Sequence, residues 1–294
     1  MRRGSSGFLL LLATPGLCAA AQSVTLPAWV CTHPDAIFVS GFEAGEFPVP
    51  HSPSNGSGGT YPGNKTRSVA VTGLGLQTYY LYLPSNYTPN HSWPAILVLH
   101  GAGGPGTSDF YAQQVRSDWS SAAATQGFVV ISTVGTNASG GWSPSSDVPI
   151  MAAELDDAAA KYNIDADRIY LWGFSAGAHL AHAIALNNTD YFAAYGVSAG
   201  GLTQFACTDD GSIPPSCNAL LGGAPRKIPV DIHLGDSDPL YTTYGAGNDP
   251  MRFENNGWVL NGDLYYTLFP GGHTYTIPQL SDIWRNLCPN AVIP

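Results

Sequence analysis

Residues 165–186 read DADRIYLWGFSAGAHLAHAIAL. An apolar run from Ile169 to Trp172 meets Gly173, Phe174, Ser175, Ala176 and Gly177, and an Ala-rich segment with helical spacing follows. A strand that reverses directly into a helix forces the joining residue into a strained backbone, and neighbours without a Cβ relieve the crowding. Glycines two before and two after the serine meet that demand. The hydroxyl then stands above a sheet at a helix N-terminus, beside a backbone N–H that can receive a developing oxyanion. This is the G-x-S-x-G nucleophile elbow.

A serine hydroxyl needs a base within hydrogen-bond reach, and an imidazole base needs a carboxylate to fix its tautomer. Of the eight histidines, His33, His51 and His91 precede the candidate catalytic strands and His233 lies within a strand pattern. His179 and His182 lie on the helix behind the elbow, where packing is their expected role. His273 alone follows a strand in a Gly-Gly turn, PGGHTY, and is the expected base. For the acid, Asp238 in GDSDP is favoured over Asp236 because it sits beside Pro239 at the far end of the loop. The HGAGG run from His100 supplies the remaining element, an oxyanion hole from the N–H groups of Ala102 and Ala176.

These residues need a scaffold that brings strand ends together. Strand-like runs fall at 68–72, 77–83, 95–99, 128–133, 168–172, 193–198, 229–234 and 264–269, and helix-like segments at about 110–125, 147–161, 176–187 and 275–287. Two hairpin strands followed by alternating β and α elements predict an α/β fold, a mostly parallel sheet with helices on both faces. Such sheets carry their chemistry beyond the carboxyl ends of the strands, where Ser175, the GDSDP acid and His273 all fall. The chain order serine, acid, histidine is that of the α/β-hydrolase triad.

With 21 acidic against 11 basic residues the formal net charge is −10, which disfavours nucleic acid and anionic membranes as partners. Residues 1–21 pair Arg2 and Arg3 with a short apolar run and small residues at Ala19–Ala21, the pattern of a cleaved secretory signal. Residues 22–65 read as an N-terminal extension ending in a Gly/Ser/Pro-rich linker, and 66–294 as the catalytic domain. Beyond the signal stand Cys31, Cys207, Cys217 and Cys288, an even count that favours two disulfides in an exported chain. Cys207 and Cys217 bracket a short loop and form the natural local pair, which leaves Cys31 to Cys288. No Cys-x-x-Cys or His-rich spacing suggests a metal, and no cofactor is expected.

The signal segment with LVLHGAGG, VGTNASGGW, YNIDADRIYLWGFSAGAHL, HLGDSDPL and FPGGHTY together resemble the secreted α/β-hydrolase esterases that include polyhydroxybutyrate depolymerases, feruloyl esterases and acetylxylan esterases. The resemblance implies Ser175, Asp238 and His273 as triad. It further implies Trp142 as an aromatic residue lining the substrate cleft, with a core tryptophan as the alternative, and His100 is grouped with Trp142 as substrate-binding. The Ala178-His179 pair departs from the pattern, since many relatives carry another glycine and a smaller or apolar residue there. Between the strands near 198 and 229 there is room only for the cysteine loop, so no helical lid is expected. The expected activity is hydrolysis of bulky or polymer-borne esters through an acyl-enzyme. A serine peptidase of the same fold and a non-catalytic binding module are the alternatives.

Overall fold

The computed structural model describes residues 47, 56, 58–59, 61–209, 215–242 and 245–292. The expected signal at 1–21 and Cys31 lie outside them. Eight strands form one sheet: β1 (Gly63–Val71), β2 (Gly75–Leu83), β3 (Trp93–Leu99), β4 (Val129–Thr133), β5 (Ile164–Phe174), β6 (Ala194–Ser198), β7 (Val230–Gly235) and β8 (Leu264–Phe269). The helices are α1 (Ser108–Gln126), α2 (Pro144–Lys161), α3 (Ala176–Asn187), α4 (Cys217–Gly223), α5 (Pro239–Thr242), α6 (Asp249–Asn255) and α7 (Ile277–Leu287).

The spatial order is β1-β2-β4-β3-β5-β6-β7-β8. β1 and β2 form the antiparallel hairpin, β2 runs antiparallel to β4, and every later pairing is parallel. The burial pattern explains the composition of each strand. β1 alternates between half-buried and exposed positions as the first strand of the sheet, whereas β4, β6 and β7 are buried throughout. A strand covered on both faces reads as a continuous apolar run, which is why period-2 alternation fades in the middle of the chain.

Successive residues of β3 divide between two cores. Ile96 and Val98 pack with Trp119 of α1 and Trp284 of α7, while Leu97 and Leu99 pack with Leu155 of α2 and Leu180 of α3. The sheet therefore has helices on both faces, as its sequence pattern predicts.

Two differences from the sequence reading have physical causes. The sheet begins at Gly63, before the expected domain start, and part of the presumed linker packs against the domain. Phe47 is buried with its ring 4.6 Å from Tyr191 and 5.2 Å from Phe192. The Gly58 N–H donates to Lys161 O at 2.8 Å. A Cβ on Gly56 would come within 2.3 Å of the Tyr162 nitrogen, so glycine composition here serves close backbone contact. The helices α4, α5 and α6 were not anticipated, because at 7, 4 and 7 residues they are too short for a helical period to show.

Candidate active site

Ser175 joins β5 to α3 with φ 53° and ψ −119°, a conformation L-residues adopt only under constraint. The constraint is visible on both sides. A Cβ on Gly173 would lie 2.2 Å from Gly177 O, and one on Gly177 would lie 2.4 Å from Leu99 O. Both glycines have ordinary φ, so the motif spacing is dictated by the close approach of α3 to β5 and β3. The Ser175 N–H donates to Ser198 O at 3.0 Å, fastening the elbow to β6.

The loop after β7 and the turn after β8 bring the other two groups to this serine. His273 Nε2 is 2.7 Å from Ser175 Oγ, and His273 Nδ1 is 2.9 Å from Asp238 Oδ2. Asp238 is almost fully buried, and its other oxygen accepts the Leu240 N–H at 2.9 Å, fixing the carboxylate across the start of α5. With Nδ1–H donated to Asp238, Nε2 is left to accept the serine proton, which is the tautomer a base requires. Asp236 points elsewhere. Its Oδ1 accepts the Gly271 N–H at 3.1 Å and the Ser237 hydroxyl at 2.9 Å, and these bonds hold its carboxyl below the usual range.

Ala102 follows β3 and Ala176 opens α3. Among the described residues no acceptor engages either N–H, so both remain available to a negative charge forming beside Ser175. Next to them lies a cavity of about 160 Å³ lined by Ala102, Tyr111, Gln114, Phe174 and Tyr275. The Phe174 ring sits 5.3 Å from the His273 ring and 4.9 Å from the Tyr275 ring. The Tyr275 hydroxyl donates to Asp118 Oδ2 of α1 at 2.5 Å. Burial raises the Tyr275 hydroxyl and the Asp118 carboxyl above their ordinary values.

Two expectations need correction. His100 is fully buried and cannot touch substrate. Its Nδ1–H donates to Gly101 O at 2.8 Å, its Nε2 accepts the Gly135 N–H at 3.1 Å, and burial lowers its pKa, so it is a neutral tie between two loops. Trp142 is 5% exposed, with its ring 4.5 Å from the His100 ring and Nε1–H donated to His100 O at 2.9 Å. It packs against the start of the loop that carries Ala102, and the core alternative describes it better than a cleft wall does. Both side chains would lose more by facing water than they gain, because their polar atoms already have partners.

His182 is buried, with Nδ1 3.0 Å from the Tyr195 hydroxyl. His179 is partly buried, and its Nδ1 accepts the Gly201 N–H at 2.8 Å. Cys207 and Cys217 form a disulfide as expected, and Cys288 is also disulfide-bonded, while its expected partner Cys31 is outside the described residues. Among the described residues no group of His, Cys, Asp and Glu could hold a metal ion, and no helix is long and apolar enough to cross a membrane. Sequence reading missed Tyr111, Gln114 and Tyr275 as cavity walls. Phe174 could have been found from its place inside the elbow motif.

Residues 80–199 match the BD-FAE family. NocK of Nocardia uniformis subsp. tsuyamanensis, a provisionally assigned esterase, is 29% identical over 84% of this chain and 67% of its own length. The bifunctional acetylxylan esterase/xylanase of Neocallimastix patriciarum is 30% identical over 62% of this chain, which spans only 23% of that larger protein. Among solved structures, an alanine mutant of the feruloyl esterase module from Clostridium thermocellum, complexed with sinapinate, aligns with a TM-score of 0.60 at 15% identity over 86% of this chain and 96% of that one. A ferulic acid esterase aligns with a TM-score of 0.58 at 17% identity, over 78% of this chain and 97% of that one. The chain therefore has the α/β-hydrolase fold, and the proteins it is similar to include acetylxylan and feruloyl esterases.

Proposed function

We propose that this chain is a serine carboxylic ester hydrolase working through an acyl-enzyme at Ser175. The observation that carries the reading is the continuous line from Ser175 Oγ through His273 to Asp238, with bonds of 2.7 and 2.9 Å. His273 Nε2 takes the serine proton as Oγ attacks the ester carbonyl, and Asp238 stabilises the imidazolium formed. The oxyanion is received by the N–H groups of Ala102 and Ala176. The imidazolium then protonates the departing alcohol oxygen, leaving an acyl-serine. A water deprotonated by the same nitrogen attacks the acyl-serine and releases the acid and free Ser175.

An apolar cavity of roughly 150 Å³ holds one benzene molecule, so the 160 Å³ space beside Ala102 suits an acyl group no larger than about a single ring. The described residues between β6 and β7 hold only a short 3₁₀ turn and the seven-residue α4, which leaves room for a bulky alcohol. Substrates on this reading are short or single-ring acyl esters borne on bulky or polymeric alcohols, the class that spans acetyl and feruloyl cell-wall esters and hydroxyalkanoate polyesters. The signal-like N-terminus and the Cys207–Cys217 bridge support an exported enzyme. The test is turnover of 4-nitrophenyl acetate by the wild type and by Ser175→Ala, with fluorophosphonate labelling of both. Loss of turnover and label in the variant is expected, and retained turnover overturns the assignment.

A further inference from the structure

A second cavity lies away from the space beside Ala102. It has a volume of about 330 Å³, within the size range of ordinary ligand sites. It lies where the disulfide segment after β6 meets α6, and its walls include Asp209, Asn218, Asn248, Met251, Arg252 and Asn255.

Its position relative to the serine is set by hydrogen bonds. His179, one helical turn beyond Ser175, accepts the Gly201 N–H at 2.8 Å. The next residue, Leu202, donates its N–H to Asp249 Oδ2 at 3.0 Å, and Asp249 Oδ1 binds Arg252 Nη1 at 2.7 Å. Between them Phe205 is 40% exposed, with its ring 6.4 Å from that of His179.

The chemistry of the walls selects a ligand class. Arg252 is the cavity's only cation among its described walls, and it is already engaged by both oxygens of Asp209 and by Asp249. That guanidinium has little charge left for an anion, and two carboxylates against one cation repel one. What remains are the exposed amides of Asn248 and Asn255, each offering donors and an acceptor, and the exposed thioether of Met251. Neutral amides beside one apolar side chain match a neutral polyhydroxylated ring, whose hydroxyls both give and accept hydrogen bonds and whose faces are apolar.

We infer that this cavity is a binding subsite for a neutral sugar residue of the alcohol portion of the substrate, separate from the acyl cavity. The inference deepens the esterase reading and rests on it for its link to catalysis, although the site itself can be tested without turnover.

The probe is xylotetraose, titrated calorimetrically into the otherwise intact Ser175→Ala protein, with tetragalacturonate as the charged comparison. Saturable binding of xylotetraose, weakened about tenfold or more by the added pair Asn248→Leu and Asn255→Leu, is expected. In the active protein the same pair should raise KM for an acetylated xylo-oligosaccharide by a similar factor and leave 4-nitrophenyl acetate turnover unchanged. No binding, binding indifferent to the pair, or tighter binding of tetragalacturonate overturns the subsite. Loss of nitrophenyl acetate turnover in the pair overturns its separation from the catalytic centre. Absence of nitrophenyl acetate turnover in the wild type removes the esterase reading, and the calorimetry still decides the sugar site. A single Met251→Ala variant, which removes an exposed apolar side chain from the same wall, provides a second weakening test should the double variant fold poorly.

Discussion

Asp236 Oδ1 accepts the Gly271 N–H at 3.1 Å, strapping the loop that carries Asp238 to the turn that carries His273. The two neighbouring aspartates therefore do different work, and kinetics can separate them. Asp238→Asn is expected to lower kcat by about 10⁴-fold, the scale seen when a triad imidazole loses its tautomer partner. Asp236→Ala only loosens the relative placement of loop and turn, and misplacement by an ångström costs about 10²-fold at most. Equal losses in the two variants would show that the strap, and not the Asp238 carboxylate, is the decisive contact.

Ser175 stores backbone strain at φ 53° and ψ −119°. Strain of this kind costs on the order of 1–3 kcal/mol, and glycine is free of it. Ser175→Gly should thus be inactive yet more heat-stable than Ser175→Ala, by about 1 kcal/mol after glycine's own entropic cost is deducted. Thermal unfolding of the two variants in parallel reads the difference, and an Ala variant as stable as the Gly variant would mean that the elbow is relaxed.

His100 ties Gly101 O to the Gly135 N–H and carries the Trp142 ring against it. His100→Ala leaves two buried backbone groups without partners, at about 1–3 kcal/mol each. It should lower both stability and kcat while leaving KM for a small ester nearly unchanged, since the residue touches no substrate. A rise in KM alone would return it to the substrate-binding residues.

Glu154 is fully buried, with Thr133 donating its hydroxyl to Oε2 and with no partner for Oε1. Burial raises its pKa well above the ordinary carboxyl value. The folded state therefore holds a proton that the unfolded chain releases, and stability falls as pH rises from the ordinary carboxyl range towards the raised value. The slope from one such group is about 1.4 kcal/mol per pH unit. Glu154→Gln keeps an acceptor for Thr133 and should remove this part of the slope, which urea unfolding between pH 5 and pH 8, about the neutral range, would detect.

His182 acts in the opposite direction. Burial depresses its pKa from 6.5 to about 3. The unfolded chain binds the proton and the folded one does not, so its contribution to stability is lost as pH falls from 6.5 towards 3. His182→Gln, which keeps a partner for the Tyr195 hydroxyl, should flatten acid unfolding over that window. An unchanged acid limb would show that His182 is charged in the native protein.

The elements that carry the proposed catalytic groups were legible because each has a local signature. The elbow shows as apolar run, glycine, serine, glycine and helix, and the Gly-Gly turn singles out His273 from seven other histidines. The choice of Asp238 over Asp236 rested on loop position, and what distinguishes them physically, burial of one and exposure of the other, is a tertiary property. Trp142 and His100 were misplaced for the same reason, because an aromatic residue beside a glycine loop looks the same from the sequence whether it faces the cleft or lies beneath it. The walls Tyr111 and Gln114 were hidden because α1 meets the site only when the sheet order places β4 beside β3.

The hydroxyl of Tyr275 bound to Asp118 joins the turn that carries His273 to the helix that supplies Tyr111 and Gln114. The proposed base and the proposed acyl wall are thereby tied to each other through one partly buried hydrogen bond. On the proposed reading, an acyl group large enough to push α1 outward would draw the His273 turn with it, and selectivity would then fall on the rate of chemistry after binding. Oversized esters would then behave as occupants that are held and turned over slowly, competitive inhibitors of the smaller esters they resemble.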